Sequence, residues 1–264
     1  MLPGITLFIS GLLLAALVMT LVWWRQVYTK NAGIVDAWWS YNFGIIAVLY
    51  AVSAPGDLSR KVLITTLAVV WSIRLGTHLL IRNMGHAHED TRYRKLREEY
   101  GANEGLYMWR FFMYQAVSNA LLSIPFLIVC LDERPVRTVT AWIGVTVWVI
   151  AVLGEAIADQ QLKAFKSHPG NKGKVCQRGL WNYSRHPNYF FEWLVWVAFA
   201  IVASDSPYGW AAVFAPLLMY LLLSRVTGIP MLEELALKSK GEAYVQYQKT
   251  TSAFFPWFKR KTNP

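Results

Sequence analysis

Residues 4–24 read GITLFISGLLLAALVMTLVWW, 21 residues without a charged side chain. As a helix rising about 1.5 Å per residue, such a run crosses the roughly 30 Å hydrocarbon core of a bilayer. Six more apolar runs follow it, at 34–53, 61–82, 110–131, 138–158, 189–204 and 207–224, of which 189–204 is short. The composition agrees: 55% of the 264 residues are hydrophobic, 15% aromatic and only 16% charged. Soluble domains carry roughly 25% charged residues. A soluble enzyme, a disordered chain and a secreted disulfide scaffold are excluded. No basic residue precedes the first run within Met1–Ser10, so it reads as a span and not as a cleaved signal. The expected fold is an all-α integral membrane protein of seven transmembrane helices, a single domain over 1–264.

The distribution of charge tests that count. The net charge is +10, from 26 Lys and Arg against 16 Asp and Glu, a balance that by itself also suits nucleic acid. With seven spans, the 25–33, 83–109 and 159–188 loops and the C-terminal tail share one side with 21 of the Lys and Arg residues. The other side holds Arg60, Lys61, Arg134 and Arg137, and Arg74 lies within a span. By the positive-inside rule the long loops and the tail are cytoplasmic. The surplus is thus a membrane-topology signal, and no nucleic-acid partner is expected.

The two cysteines, Cys130 and Cys176, fall on opposite faces in this topology, too far apart for a disulfide. Neither has a companion thiol, and packing is their expected role. The spans show no paired, Gly/Pro-broken repeats of the kind that build transporters. With every long loop on one side, the site opens to the cytoplasm, which favours an enzyme over a carrier.

Ionisable groups inside apolar spans are functional candidates, because placing one in lipid costs about 2.5–3.5 kcal/mol. They are Asp36, Arg74, His78, Glu155 and Glu192. Arg74 and His78, four apart, share one helix face. The alternative is that these groups form internal pairs that merely orient helices.

The loop 159–188 is the richest stretch. Asp159, Lys163 and Lys166 give a helix leaving the fifth span a mixed charged face. Gly170–Asn171–Lys172–Gly173–Lys174 and Arg178 form a basic segment, and Gly179 to Tyr189 reads GLWNYSRHPNY directly into the sixth span. A patch for anionic headgroups needs only Lys and Arg. A mixture of Tyr183, Arg185, His186, Asn188 and Tyr189 supplies planar forks, amides and rings, the chemistry that recognises phosphates and bases.

In the 83–109 loop, Arg92 and Arg94 are candidate phosphate contacts. His86 and His88 beside Glu89 and Asp90 hint at a metal, but five histidines in all and no HExxH argue against one. The tail predicts an amphipathic helix over 231–248 lying along the interface, closed by Phe255–Pro256–Trp257–Phe258 and Lys259–Arg260–Lys261. It is also placed to cap the pocket. There is no Walker sequence, no GxGxxG after a strand and no GxSxG.

The element Gly179–Tyr183 with Arg185–His186–Pro187–Asn188–Tyr189 and Glu192 resembles the steroid 5-alpha-reductase family, in its bacterial members above all. Trp71–Leu75, Glu89–Tyr93, Gly154–Glu155 through Asp159, Tyr244–Tyr247 and Phe255–Pro256 support it, and the reductase-like core covers about 34–258. The Arg–His–Pro–x–Tyr element also occurs in isoprenylcysteine carboxyl methyltransferases, which bind S-adenosylmethionine.

The resemblance implies NADPH-dependent reduction of the C=C bond of a 3-oxo-Δ4 steroid or similar lipophilic enone by a monomer in the bacterial inner membrane, with cytoplasmic loops closing over a nucleotide cofactor pocket. Asn188 and Glu192 would hold the nicotinamide carboxamide. Asp159, Lys163, Lys166 and Lys174 would bind the adenine nucleotide. Arg74, His78, Arg92, Tyr93, Tyr183, Arg185, His186, Tyr189 and Arg225 complete the expected cofactor set, and no metal is expected. Where animal enzymes pair a Tyr with a Glu at the ketone, this register places Trp71 and Asp36. An indole N–H donates a hydrogen bond but delivers no proton. The catalytic expectation is therefore Asp36, as donor or orienting group, with Tyr41 as proton donor. The alternatives are the methyltransferase and a non-enzymatic lipid-binding membrane protein.

Overall fold

The computed structural model describes residues 2–84, 89–136 and 138–260. His86 and His88, weighed above as metal ligands, lie outside them, as do Arg137 and Lys261. The described chain is helical, and an isolated parallel bridge between Ser184 and Ser252 is its strand-like feature.

Five stretches are long and apolar enough to cross a membrane: Pro3–Thr29, Leu58–Met84, Thr91–Leu131, Val139–Ser167 and Gly209–Lys240. The chain is accordingly a multi-pass membrane protein. Of the seven expected spans, the second and sixth fall short of that standard. Helix α2 (Ile34–Ser53) has the length, but Asp36, Ser40, Tyr41 and Asn42 dilute its hydropathy. Helix α8 (Pro187–Ala203) is apolar but has 17 residues.

Helix α1 (Leu2–Thr29) shows why these helices want lipid. Leu7, Ala15, Met19 and Val22 form a buried stripe at helical spacing. Ile5, Ile9, Leu13, Leu17 and Leu21 on the rest of its surface are about half exposed or more. Water would not tolerate that much bare aliphatic surface.

Contacts group the chain into two compact units, residues 1–141 with 199–215, and 142–198 with 216–264. The first joins α1, α2, α3 (Leu58–Met84), α4 (Thr91–Tyr100), α5 (Glu104–Leu122) and α6 (Ile124–Leu131). The expected span 110–131 breaks at Ser123, where Pro125 starts a new helix. Helices α2 and α3 approach closely through small residues. A Cβ on Gly76 would sit 2.5 Å from the Tyr41 ring, and one on Gly44 would sit 2.4 Å from Ser72 Oγ. Polar side chains tie α2 to α5: Asn42 Nδ2 donates to Asn119 Oδ1 (3.1 Å), and Trp39 Nε1 to Ser118 Oγ (2.9 Å). Trp71, wholly buried, packs on Phe43 and Phe199, and Phe126 meets Phe199 at 4.8 Å. The residue that the register set at the ketone is part of an aromatic core.

At the end of this unit away from α4, Arg60 is wholly buried and pairs with Asp205 through both nitrogens (3.1 and 3.0 Å) and with Asp132 (3.2 Å). It also donates to Arg134 O and Ser206 Oγ.

The second unit contains most of α7 (Thr138–Ser167), the bulk of α8, α9 (Phe214–Leu221), a π-helical turn at Leu222–Val226, α10 (Ile229–Lys240) and α11 (Glu242–Thr250). Helix α7 runs nine residues beyond the expected span, so Asp159, Lys163 and Lys166 do lie on a helix leaving the bilayer run. The amphipathic helix expected over 231–248 is two helices, because Gly241 at φ +55° turns the chain between them. The segment after α7 is tied back by Trp181 Nε1 to Ala158 O (2.9 Å) and Leu180 N to Gln161 Oε1 (2.9 Å). Gly179 sits at φ +56°, in the left-handed region that favours glycine, and a Cβ there would lie 2.4 Å from the Gln161 amide.

Candidate functional site

Within the second unit, the C-terminal turn of α7 and the segment after it face the end of α10 across a cleft of about 400 Å³. Lys166, Lys172, Lys174 and Lys240 line it together with Phe165 and Cys176, and no carboxylate contributes to the lining. That volume lies in the range of small-ligand sites. Four lysines on one cleft lining give it a positive field that suits an anion. Cys176 at the wall is buried, and burial pushes its thiol above the ordinary value, so it packs and does not react.

Of the four residues expected on the adenine nucleotide, Lys166 and Lys174 reach this cleft. Lys163 is exposed outside the lining, and Asp159 accepts a hydrogen bond from Asn188 Nδ2 at 3.3 Å. That bond joins α7 to the first turn of α8. Glu192, one turn after Asn188 on the same face, is buried and accepts from Trp196 Nε1 at 3.2 Å. Arg225 is exposed in the π-helical turn, and Tyr183 is 41% exposed with its ring against Phe258.

Arg185 and His186 were expected on the cofactor, and the structure turns them inward. Arg185 donates to Glu233 Oε1 (2.6 Å), to Gln248 O (3.2 Å) and to Thr251 O (2.5 Å). His186 Nε2 lies 3.3 Å from Glu233 Oε1, and its ring stacks on Tyr189 at 5.7 Å. Gln248 Nε2 and the Tyr244 hydroxyl also donate to Glu233. Arg185 N bonds Ser252 O, and Trp257 N bonds Tyr183 O. These contacts fasten α10 and the tail to the Ser184–His186 turn. Their guanidinium and imidazole groups therefore act as a clasp, and Glu233 is its centre. Nothing local in the sequence marks Glu233 or Lys240, since each acquires its partners from distant segments.

Burial holds the His186 imidazole below its ordinary pKa of 6.5, against the opposing pull of Glu233, with Arg185 adding to the depression. The unfolded chain then binds the proton more readily than the folded one, so stability is retained above about pH 6.5 and lost as pH falls below it. The expected result is a melting temperature in detergent that drops between pH 7.5 and 5.5, with a flatter profile for His186→Asn. Equal pH profiles for both proteins would show that His186 is not the titrating group.

A second cluster stands in the first unit. Asp36, in the first turn of α2, accepts from Tyr93 hydroxyl through Oδ1 (2.5 Å) and from Arg92 Nη2 through Oδ2 (2.8 Å), with Arg82 3.9 Å away. Arg92 is further held by Asp90. Asp36 thus accepts with both oxygens, the geometry of a group that orients a phenol. Tyr41 is not part of this cluster. Five residues along α2, it points to a different side, and its hydroxyl pairs with Thr77 Oγ1 at 3.0 Å. Arg74 and His78 lie half-buried one turn apart on α3. Among the described residues, no group of three or more His, Cys, Asp or Glu side chains is placed to hold a metal ion.

A family model described as a protein of unknown function, DUF1295, matches residues 22–251. An uncharacterised protein of Schizosaccharomyces pombe is 27% identical over 279 residues, covering 94% of this chain and 79% of its own length. No solved structure matches. With a match that extends from α1 to the clasp residues at the end of α11, this chain belongs to the DUF1295 family.

Proposed function

We propose that this chain is a seven-span membrane oxidoreductase that takes NADPH from the cytoplasm and reduces the C=C bond of a flat, lipophilic enone such as a 3-oxo-Δ4 steroid. The observation that carries this reading is the cleft lined by four lysines and no carboxylate. Phosphates of a dinucleotide suit it. S-adenosylmethionine, with a sulfonium and no phosphate, does not, which sets the methyltransferase behind the reductase. The buried Glu192 on the Asn188 face favours the enzymatic reading over a lipid-binding protein without a reaction. In this reading the 25–33, 83–109 and 159–188 loops and the tail are cytoplasmic, α2 and α8 complete the seven spans, and the membrane is a bacterial inner membrane.

NADPH supplies the hydride when bound. Lys166 and Lys174 would hold its phosphates, and Asn188 and Glu192 would orient the carboxamide of its nicotinamide. Hydride gain at the enone β-carbon would build charge on the carbonyl oxygen, where one preplaced donor would contribute ~2.7–4 kcal/mol. Within the first unit, the Tyr93 phenol is oriented by Asp36 and the Tyr41 phenol is paired with Thr77, and each is a group able to donate a proton. A proton delivered to the α-carbon completes the saturated ketone.

The test is the nucleotide that co-purifies in mild detergent, followed by progesterone turnover with added NADPH. Retained NADP(H) with enone-dependent oxidation is the expected result. Retained S-adenosylmethionine or its demethylated product would transfer the assignment to a methyltransferase. No nucleotide and no turnover would remove the enzymatic reading altogether.

A further inference from the structure

We propose that Lys240, the last residue of α10, completes the anion cleft and selects dinucleotides that carry a phosphomonoester in addition to their pyrophosphate. This rests on the cofactor reading above and assigns its selectivity to the C-terminal tail.

Three of the four cleft lysines come from α7 and the segment after it, and Lys240 alone arrives from the tail. It is half-buried, with its ammonium 5.7 Å from the centre of the Tyr244 ring. The helix carrying it is fixed two turns earlier by Glu233, which receives Arg185, His186 and Gln248. The clasp therefore has a purpose beyond tying down the tail: it sets where Lys240 stands.

Charge balance identifies the ligand. A bridging pyrophosphate brings about two negative charges, and a phosphomonoester adds about 1.5–2 more at pH 7. Four lysines match the sum. A dinucleotide with the pyrophosphate alone would leave about two positive charges of the cleft without a counter-charge. Lys172 and Lys174 flank Gly173, whose φ of +76° turns the chain between them, and both line the cleft. Lys240 approaches from the other element, so two phosphate groups are gripped by separate parts of the chain.

The test is titration of purified full-length protein in detergent with NADP+ and NAD+, for the wild type, Lys240→Ala and Lys240→Arg. The wild type should bind NADP+ at least about tenfold more tightly than NAD+, the worth of one charge-assisted contact. Lys240→Ala should lose most of that preference while its NAD+ affinity stays within about threefold, and Lys240→Arg should restore much of it. Equal weakening toward both dinucleotides, or an unchanged preference, overturns the selectivity assignment and leaves the cofactor reading intact. Wild-type protein that binds neither overturns both. Short-chain phosphatidic acid is titrated in parallel. If it binds in a Lys240-dependent manner and NADP+ does not, the phosphate comes from a lipid headgroup and the proposal falls.

Discussion

Glu192→Ala should abolish enone-dependent NADPH oxidation, lowering kcat/KM by on the order of 100-fold or more. Glu192 lies on α8 with 5% of its surface exposed, one turn after Asn188. The Asn188 amide is itself fixed by Asp159 at 3.3 Å. The pair offers an acceptor and an amide on one helix face, which is what a carboxamide needs to be held in one orientation. A lost hydrogen bond to a charged group costs ~1.5–3 kcal/mol in binding. A nicotinamide free to rotate also loses the alignment that makes hydride transfer effectively unimolecular. Much of the loss should therefore appear in kcat and not only in KM for NADPH. Glu192→Gln, which keeps the volume and the bond from Trp196, is the control for packing, and melting curves separate misfolding from lost chemistry. Full activity in a folded Glu192→Ala protein would remove Glu192 from the site and, with it, the main residue carried over by resemblance.

Arg60→Met should cause the largest loss of stability, ~3–5 kcal/mol. The guanidinium bridges Asp132 and Asp205, whose side chains are 2% and 4% exposed, and it caps the carbonyls of Arg134 and Pro135. Removing it strands Asp205 as a buried charge. Asp132 keeps Arg134, so the two carboxylates do not suffer equally. Arg60→Met with Asp205→Asn should consequently recover part of the loss, because the second change removes the stranded charge and not merely a contact. The readout is the detergent melting temperature of the single and double variants. A single variant as stable as wild type would show that the bridge contributes nothing net. A double variant no better than the single would assign the loss to the carbonyl caps.

The membrane character of the chain was legible because it depends on local sequence. A 3.6-residue period and a 1.5 Å rise turn an uncharged run such as 4–24 into a span wherever it sits. The same local logic extended α7 through Asp159, Lys163 and Lys166, whose charges share a helix face. It failed where one residue changes the backbone: at Ser123 before Pro125, and at Gly241, whose φ of +55° divides the tail helix. Helix α2 has the length of a span, but its Asn42 and Trp39 are committed to α5, a use that its local sequence does not announce.

Site residues were legible by type and much less by role. The motif around Arg185 and His186 announces polar recognition, but the sequence does not say what is recognised, and folding supplies Glu233 from α10 as the partner. Asp36 and Tyr41 seemed one site because they share a helix. Five residues along a helix is 140° around its axis, and Asp36 instead meets Tyr93 from α4. The sequence by itself determined the helices, their apolar faces and the clustering of basic residues, since hydrophobicity and backbone geometry act over a few residues. Only the tertiary structure decided which charges meet, placing Lys240 beside Lys166 and Lys174 and closing Glu233 on Arg185, because a polar group's partner is fixed by packing between segments far apart in the chain.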